Sequence, residues 1–172
     1  MRKSFTLIEL LVTSAIIMIM LAVTIAYSQK GEGINRINRS IERLSFDIRR
    51  IASLSTQTRQ LEDKKICGWG IYFNEDIQDR YIIFSDFCED ETIRGDKTYS
   101  EEEKYEEIKL SYGTIMQDVD VSMIMYFPPE PRIEIYDILN NLTSSGNISI
   151  TTEYGNYVKT ISINEAGTIS IN

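Results

Sequence analysis

The 172-residue chain contains no histidine, two cysteines and three prolines. Without histidine, the commonest general base and the commonest metal ligand are missing. Two cysteines, Cys67 and Cys88, allow at most one internal disulfide. All three prolines fall in "PPEP", residues 128–131, a stretch that has no place in a central strand. There is no G-x-S-x-G, no phosphate-binding loop and no spaced metal-ligand motif, and no two carboxylates stand out as an acid/base pair. The residues therefore nominate no enzyme. Basic charge is scarce in the distal part: residues 66–172 hold seven basic side chains against twenty acidic ones, a net of −13. That balance repels nucleic acid and anionic surfaces and argues against a DNA-binding tip. Residues 30–65 carry the opposite excess, nine basic against five acidic.

What the chain does have is one long apolar run. From Leu7 to Ala26 only Glu9, Thr13, Ser14 and Thr24 are polar. Twenty helical residues rise roughly 30 Å, the thickness of a hydrocarbon core. Serine and threonine can return their hydroxyls to carbonyls one turn back, so they do not spoil a membrane helix. A soluble core helix is rarely apolar all round for so long. Arg2 and Lys3 precede the run and Lys30 follows it, so flanking charge is nearly balanced. Export of the bulky acidic portion is the simpler topology. A secretory signal is the competing reading, and "AVTIAYS" offers small residues for cleavage. It leaves Glu9 unexplained. A carboxylate at bilayer depth costs about 2.5–3.5 kcal/mol and usually marks a partner. Cleavage after Ser4 would put a cationic α-amine on Phe5, one helical turn before Glu9. The amine of one subunit would then meet Glu9 of its neighbour when helices pack side by side.

These residues carry a resemblance. "S-FTLIELLVTSAIIMIMLAVTI", behind the short basic leader "MRK", resembles the class III leader of type IV pilins and type II secretion pseudopilins. The resemblance implies that a membrane prepilin peptidase cuts between Ser4 and Phe5 and methylates the new amine of Phe5. It makes Glu9 the assembly acid, five residues into the mature chain. The family usually has glycine where this chain has Ser4; serine is small, and cleavage is still expected. The motif covers about the first quarter of the chain.

Beyond the apolar run, "SQKGEG" places two glycines that loosen a helix without ending it. Ile34, Ile37, Ile41, Leu44, Ile48 and Ile51 then step by three and four, one face of an amphipathic helix expected to reach about Gln60. Arg36, Arg43 and Arg50 recur on another face, which reads as a solvated basic side. The resemblance adds that such a helix packs its own domain on one face and lines a filament on another.

After Ile66 the period changes to alternation. "ICGWGIYFN" and "RYIIFSDF" read as a hairpin whose open end brings Cys67 and Cys88 together. An exported domain would pair them, whereas a reducing compartment would leave two buried thiols. "EDETIRGDKTYSEEEKYEEI", residues 89–108, is too acidic for core and reads first as a solvated loop. Its second reading is a calcium site, with Asp86, Glu89, Asp90, Asp96 and Glu102 as hard oxygen donors, although no D-x-D-x-D-G spacing is present. No other cofactor is expected. "VDVSMIMYF", "RIEIYDI", "NISITTE", "YVKTISIN" and "GTISIN" are further short strands separated by turn residues. The "GWGIYF…YIIFSD" pair and the terminal "ISINEAGTISI" resemble the heads of H-type minor pseudopilins and fimbrial-T-like minor pilins.

The expected fold is α+β, a long N-terminal helix packed on a mostly antiparallel sheet. Its parts are a leader over 1–4, a membrane-spanning helical half over 5–27, an amphipathic half over 28–62, and a β-rich exported head over 63–172 with an acidic loop at 89–108. The resemblance implies a structural filament subunit, minor rather than major, anchored in the cytoplasmic membrane with its C-terminal head outside. Its partners would be the prepilin peptidase, other pilin or pseudopilin subunits, an inner-membrane assembly platform and the lipid bilayer. The alternative is a single-pass anchored binding domain that never polymerises; it leaves Glu9 as an unpaired cost.

Overall fold

The computed structural model describes residues 6–57, 60–61, 64–88, 95–128, 131–152 and 157–172. The fold is α+β and divides into two units, Met1–Asn35 and Arg36–Asn172. One helix, α1 (Leu7–Ser55), contributes residues to both.

In the first unit, Leu7–Ile25 has a mean hydropathy of 2.4 and none of it is buried within the chain. Its length and composition suit a membrane crossing. Thr13, Ser14 and Thr24 donate their hydroxyls to the carbonyls of Leu10, Leu11 and Met20, so these polar groups are satisfied within the helix itself. Residues 31–33 stay helical despite Gly31 and Gly33. Ile34 belongs to this unit and is partly exposed, so the apolar stripe reaches the core only from Ile37 onward.

In the second unit, Ile37, Ile41, Leu44, Ile48 and Ile51 are all at most 2% exposed and form one side of the main core. The helix ends at Ser55, short of Gln60. The Ser55 and Thr56 hydroxyls take the carbonyls of Ala52 and Ser53, which relieves the last turn and offers the backbone an exit. Gln60 instead opens a short strand.

Among the described residues eleven strands follow: β1 (Gln60–Leu61), β2 (Lys64–Tyr72), β3 (Arg80–Phe87), β4 (Lys104–Lys109), β5 (Thr114–Gln117), β6 (Val121–Phe127), β7 (Arg132–Asp137), β8 (Leu142–Thr143), β9 (Ser145–Thr152), β10 (Val158–Asn164) and β11 (Ile169–Ile171). The larger sheet has the order β4-β3-β2-β6-β7-β8, with β1 also paired to β2; the smaller is β11-β10-β9-β5. Every pairing among the described residues is antiparallel.

Strand alternation gives the larger sheet two buried faces. Trp69, Ile71, Tyr81, Ile83, Ile124 and Ile135 join the helix stripe, together with Ile148, Ile150, Ile161 and Ile163 from the smaller sheet. Phe84, Met123, Met125, Phe127 and Tyr136 form a second cluster, with Tyr72 and Tyr99 packed against it. The segment entering at Gly95 helps to cover this face: the Tyr99 ring stacks on Tyr72 at 4.7 Å and meets Phe84 edge-on at 5.5 Å.

The acidic stretch is not a loop throughout. Residues 104–108 belong to β4, an edge strand beside β3. Ile108 enters the core, while Glu106 and Glu107 are matched by cations. Arg50 reaches Glu106 at 2.8 Å, and Arg80 and Lys104 each reach Glu107 at 2.6 Å. Composition alone reads such a segment as solvated; cross-strand and helix-borne cations are what allow it to pair. Residues 89–94 lie outside the described residues.

Candidate functional site

The first candidate is the N-terminal end of α1. Ser4 and Phe5, the expected processing residues, lie outside the described residues. Glu9 accepts hydrogen bonds through Oε2 from the Thr6 backbone N–H and the Thr6 hydroxyl, both at 2.9 Å. The Glu9 backbone N–H approaches Thr6 Oγ1 at 3.4 Å. Thr6 thus sits before the first helical residue with glutamate three positions on, a reciprocal arrangement that satisfies donors at a helix start. The T-x-x-E spacing of Thr6 and Glu9 signals this pairing directly. The carboxylate also lies where a helix N-terminus favours negative charge.

A second set of polar groups ties the lower half of α1 to the sheet. Asp47 is wholly buried; its Oδ2 accepts from the Tyr81 hydroxyl at 2.7 Å and from Arg43 Nε at 2.9 Å. Arg50 Nη1 stands 3.7 Å from Asp47 Oδ1. Burial and then the Asp47 carboxylate push the Tyr81 phenol far above its usual range. Arg43 and Arg50 are held more firmly protonated by Asp47 and Glu106 respectively. Arg36 donates to the Tyr112 carbonyl at 3.3 Å, and its guanidinium lies 5.6 Å from the Tyr112 ring centre. The seven-residue arginine repeat is therefore not a free basic face. Each arginine is committed to the head.

The third candidate surrounds the end of β3. Cys67 and Cys88 form a disulfide across the β2–β3 ends, beside a bulge between Ile66 and Gly68. Asp86 precedes it by two residues and shares its sheet face with Phe84. Asp86 is 0% exposed, and neither carboxylate oxygen accepts a hydrogen bond of normal geometry among the described residues. Only glycine fits above it, since a Cβ on Gly95 would fall 1.9 Å from Asp86 Oδ1. Asp96 and Glu103 complete the group: one oxygen from each of the three carboxylates lies within 4.8 Å of the others. Burial, then Glu103, then Asp96 push the Asp86 acid up to about 7; the Lys97 backbone N–H and ammonium oppose this only in part. Glu103 is buried and well held, with Oε1 accepting from Phe87 N and Oε2 from the Ser100 N–H and hydroxyl.

Of the five sequence-derived calcium donors, Asp86 and Asp96 are brought together. Glu102 is outside the cluster, because the 3-10 turn Glu101–Glu103 points its neighbour inward instead. Glu89 and Asp90 lie outside the described residues. Glu103 was missed because three consecutive glutamates look alike until a turn chooses among them.

These features define an apolar membrane-suited helix bearing one capped acid, and a disulfide-bonded antiparallel head. Compared with known families, residues 1–25 match the prokaryotic N-terminal methylation motif. The match covers the basic leader and most of the apolar run, and does not extend to the head. No curated protein and no solved structure matches the chain.

Proposed function

We propose that this protein is a minor subunit of a filament of the type IV pilus or type II secretion pseudopilus kind. The observation that carries the reading is the methylation motif at residues 1–25, sited on a helix whose apolar surface is uncovered by the chain itself. Prepilin peptidase cuts between Ser4 and Phe5 and methylates Phe5. The mature chain keeps Thr6, so the Thr6–Glu9 cap survives the cut. The carboxylate still has lone pairs to offer the Phe5 amine of an adjoining subunit. The apolar helix is handed from the bilayer to neighbouring helices, and the head stays outside the cytoplasm.

The test has two parts. Mass spectrometry of the native N-terminus should show loss of "MRKS" and one methyl group on Phe5. A Glu9→Leu variant should insert into the membrane yet fail to enter filaments beside wild-type subunits. An intact initiator methionine, or normal incorporation of the variant, would refute the reading in favour of an anchored domain that does not polymerise.

A further inference from the structure

We propose that Asp86, Asp96 and Glu103 are the protein ligands of a calcium ion held beneath Gly95, on the face of the larger sheet away from α1. An ion about 2.4 Å from each oxygen would bridge carboxylates whose ligand atoms lie within 4.8 Å of one another. The acids alone would say little. Asp86 says more: it is fully buried, aimed into the group, and accepts no hydrogen bond of normal geometry on either oxygen among the described residues. Buried polar groups are nearly always satisfied, and buried charges are paired or bound to metals. Among the described residues, Lys97 stands beside the cluster and is already committed, its Nζ pairing with Glu134 Oε2 at 2.7 Å.

The donor set selects the ion. Histidine is absent and both cysteines are in the disulfide, so only hard oxygens are offered. Glu103 is oriented by Phe87 and Ser100, and Asp96 by the Thr98 N–H on its Oδ1, which leaves Oδ2 for the ion. Asp96 is exposed, so water has access to complete the coordination. Three carboxylates in an irregular set suit calcium, which accepts variable geometry; magnesium demands a near-ideal octahedron and keeps most of its water. Binding joins β3 to the segment over residues 95–103 and supplies a counter-charge to the buried Asp86.

The site is read on the single subunit, so it stands or falls independently of filament assembly. Full-length protein in detergent, stripped with a chelator, is titrated with calcium chloride at pH 7.5 by calorimetry and thermal melting. The expected result is saturable binding and a rise in melting temperature that EGTA reverses, with a clearly smaller rise for magnesium. Asp96→Asn, at an exposed position that leaves the core intact, should weaken binding roughly tenfold or more. Asp86→Asn should abolish the calcium-dependent rise. Absence of saturable calcium binding by the wild type overturns the proposal. So does an equal response to magnesium, or an undiminished calcium response in both variants.

Discussion

Removing the Asp47 carboxylate should uncouple α1 from the larger sheet, by an amount that can be worked from its contacts. In Asp47→Ala the Tyr81 hydroxyl, on a side chain only 1% exposed, loses its acceptor. A buried donor left without a partner costs about 1–3 kcal/mol. Arg43 is half-exposed and regains water, so its lost ion pair adds less than about 1 kcal/mol. The variant should therefore lose roughly 2–3 kcal/mol of stability. Tyr81→Phe removes the hydroxyl and leaves the carboxylate with Arg43, at a cost of about 1 kcal/mol. The double variant leaves no orphaned hydroxyl, so it should lose less than the two single losses together, by about 1–2 kcal/mol. Chemical denaturation of the full chain in detergent measures all four proteins. The single tryptophan, Trp69, is a convenient probe, being 2% exposed and edge-on to Tyr105 at 5.0 Å. Losses that add to within about 0.5 kcal/mol would show that Asp47 and Tyr81 do not act as a pair.

Two further outcomes follow from the head. Replacing both Cys67 and Cys88 by serine frees a loop with a sequence separation of 21. The chain-entropy model puts the loss at about 3 kcal/mol, and reduction of the wild type should lower its melting temperature to match; an unchanged melt after complete reduction would contradict this. Glu134 is held below its usual 4.5, because Lys97 and the Tyr136 hydroxyl outweigh the burial that pushes it up. Its folded-state proton is thus held less tightly than its unfolded one. The stability it contributes is present above about pH 4.5 and is lost as pH falls through the lower folded value. Glu134→Gln should flatten that acid limb in melting curves, and an identical limb in the variant would remove Glu134 as its source.

The parts legible in advance were those governed by local pattern. The three-four spacing of Ile37, Ile41, Leu44, Ile48 and Ile51 needs only helical periodicity to define a core face, and those residues are buried. The β2–β3 hairpin is equally plain in its alternation. Ile34 shows the limit of that logic: it has the right phase, but a stripe is buried only where something packs on it. β4 was hidden because its charges are neutralised by Arg50 and Arg80, which are distant in the chain. Nothing local in the sequence marks Asp47, and only the approach of Tyr81 from β3 makes it a buried acceptor.

The sequence by itself determined the apolar span, the acid at its start and the change from helical to alternating period. Each depends on neighbours within a few residues, where covalent geometry sets the spacing. Tertiary structure alone decided which carboxylates share a space, which of three adjacent glutamates turns inward and which arginines are taken up by the head. Those choices arise when segments tens of residues apart exclude water from between them, and burial then turns an ordinary side chain into a costly or a useful one.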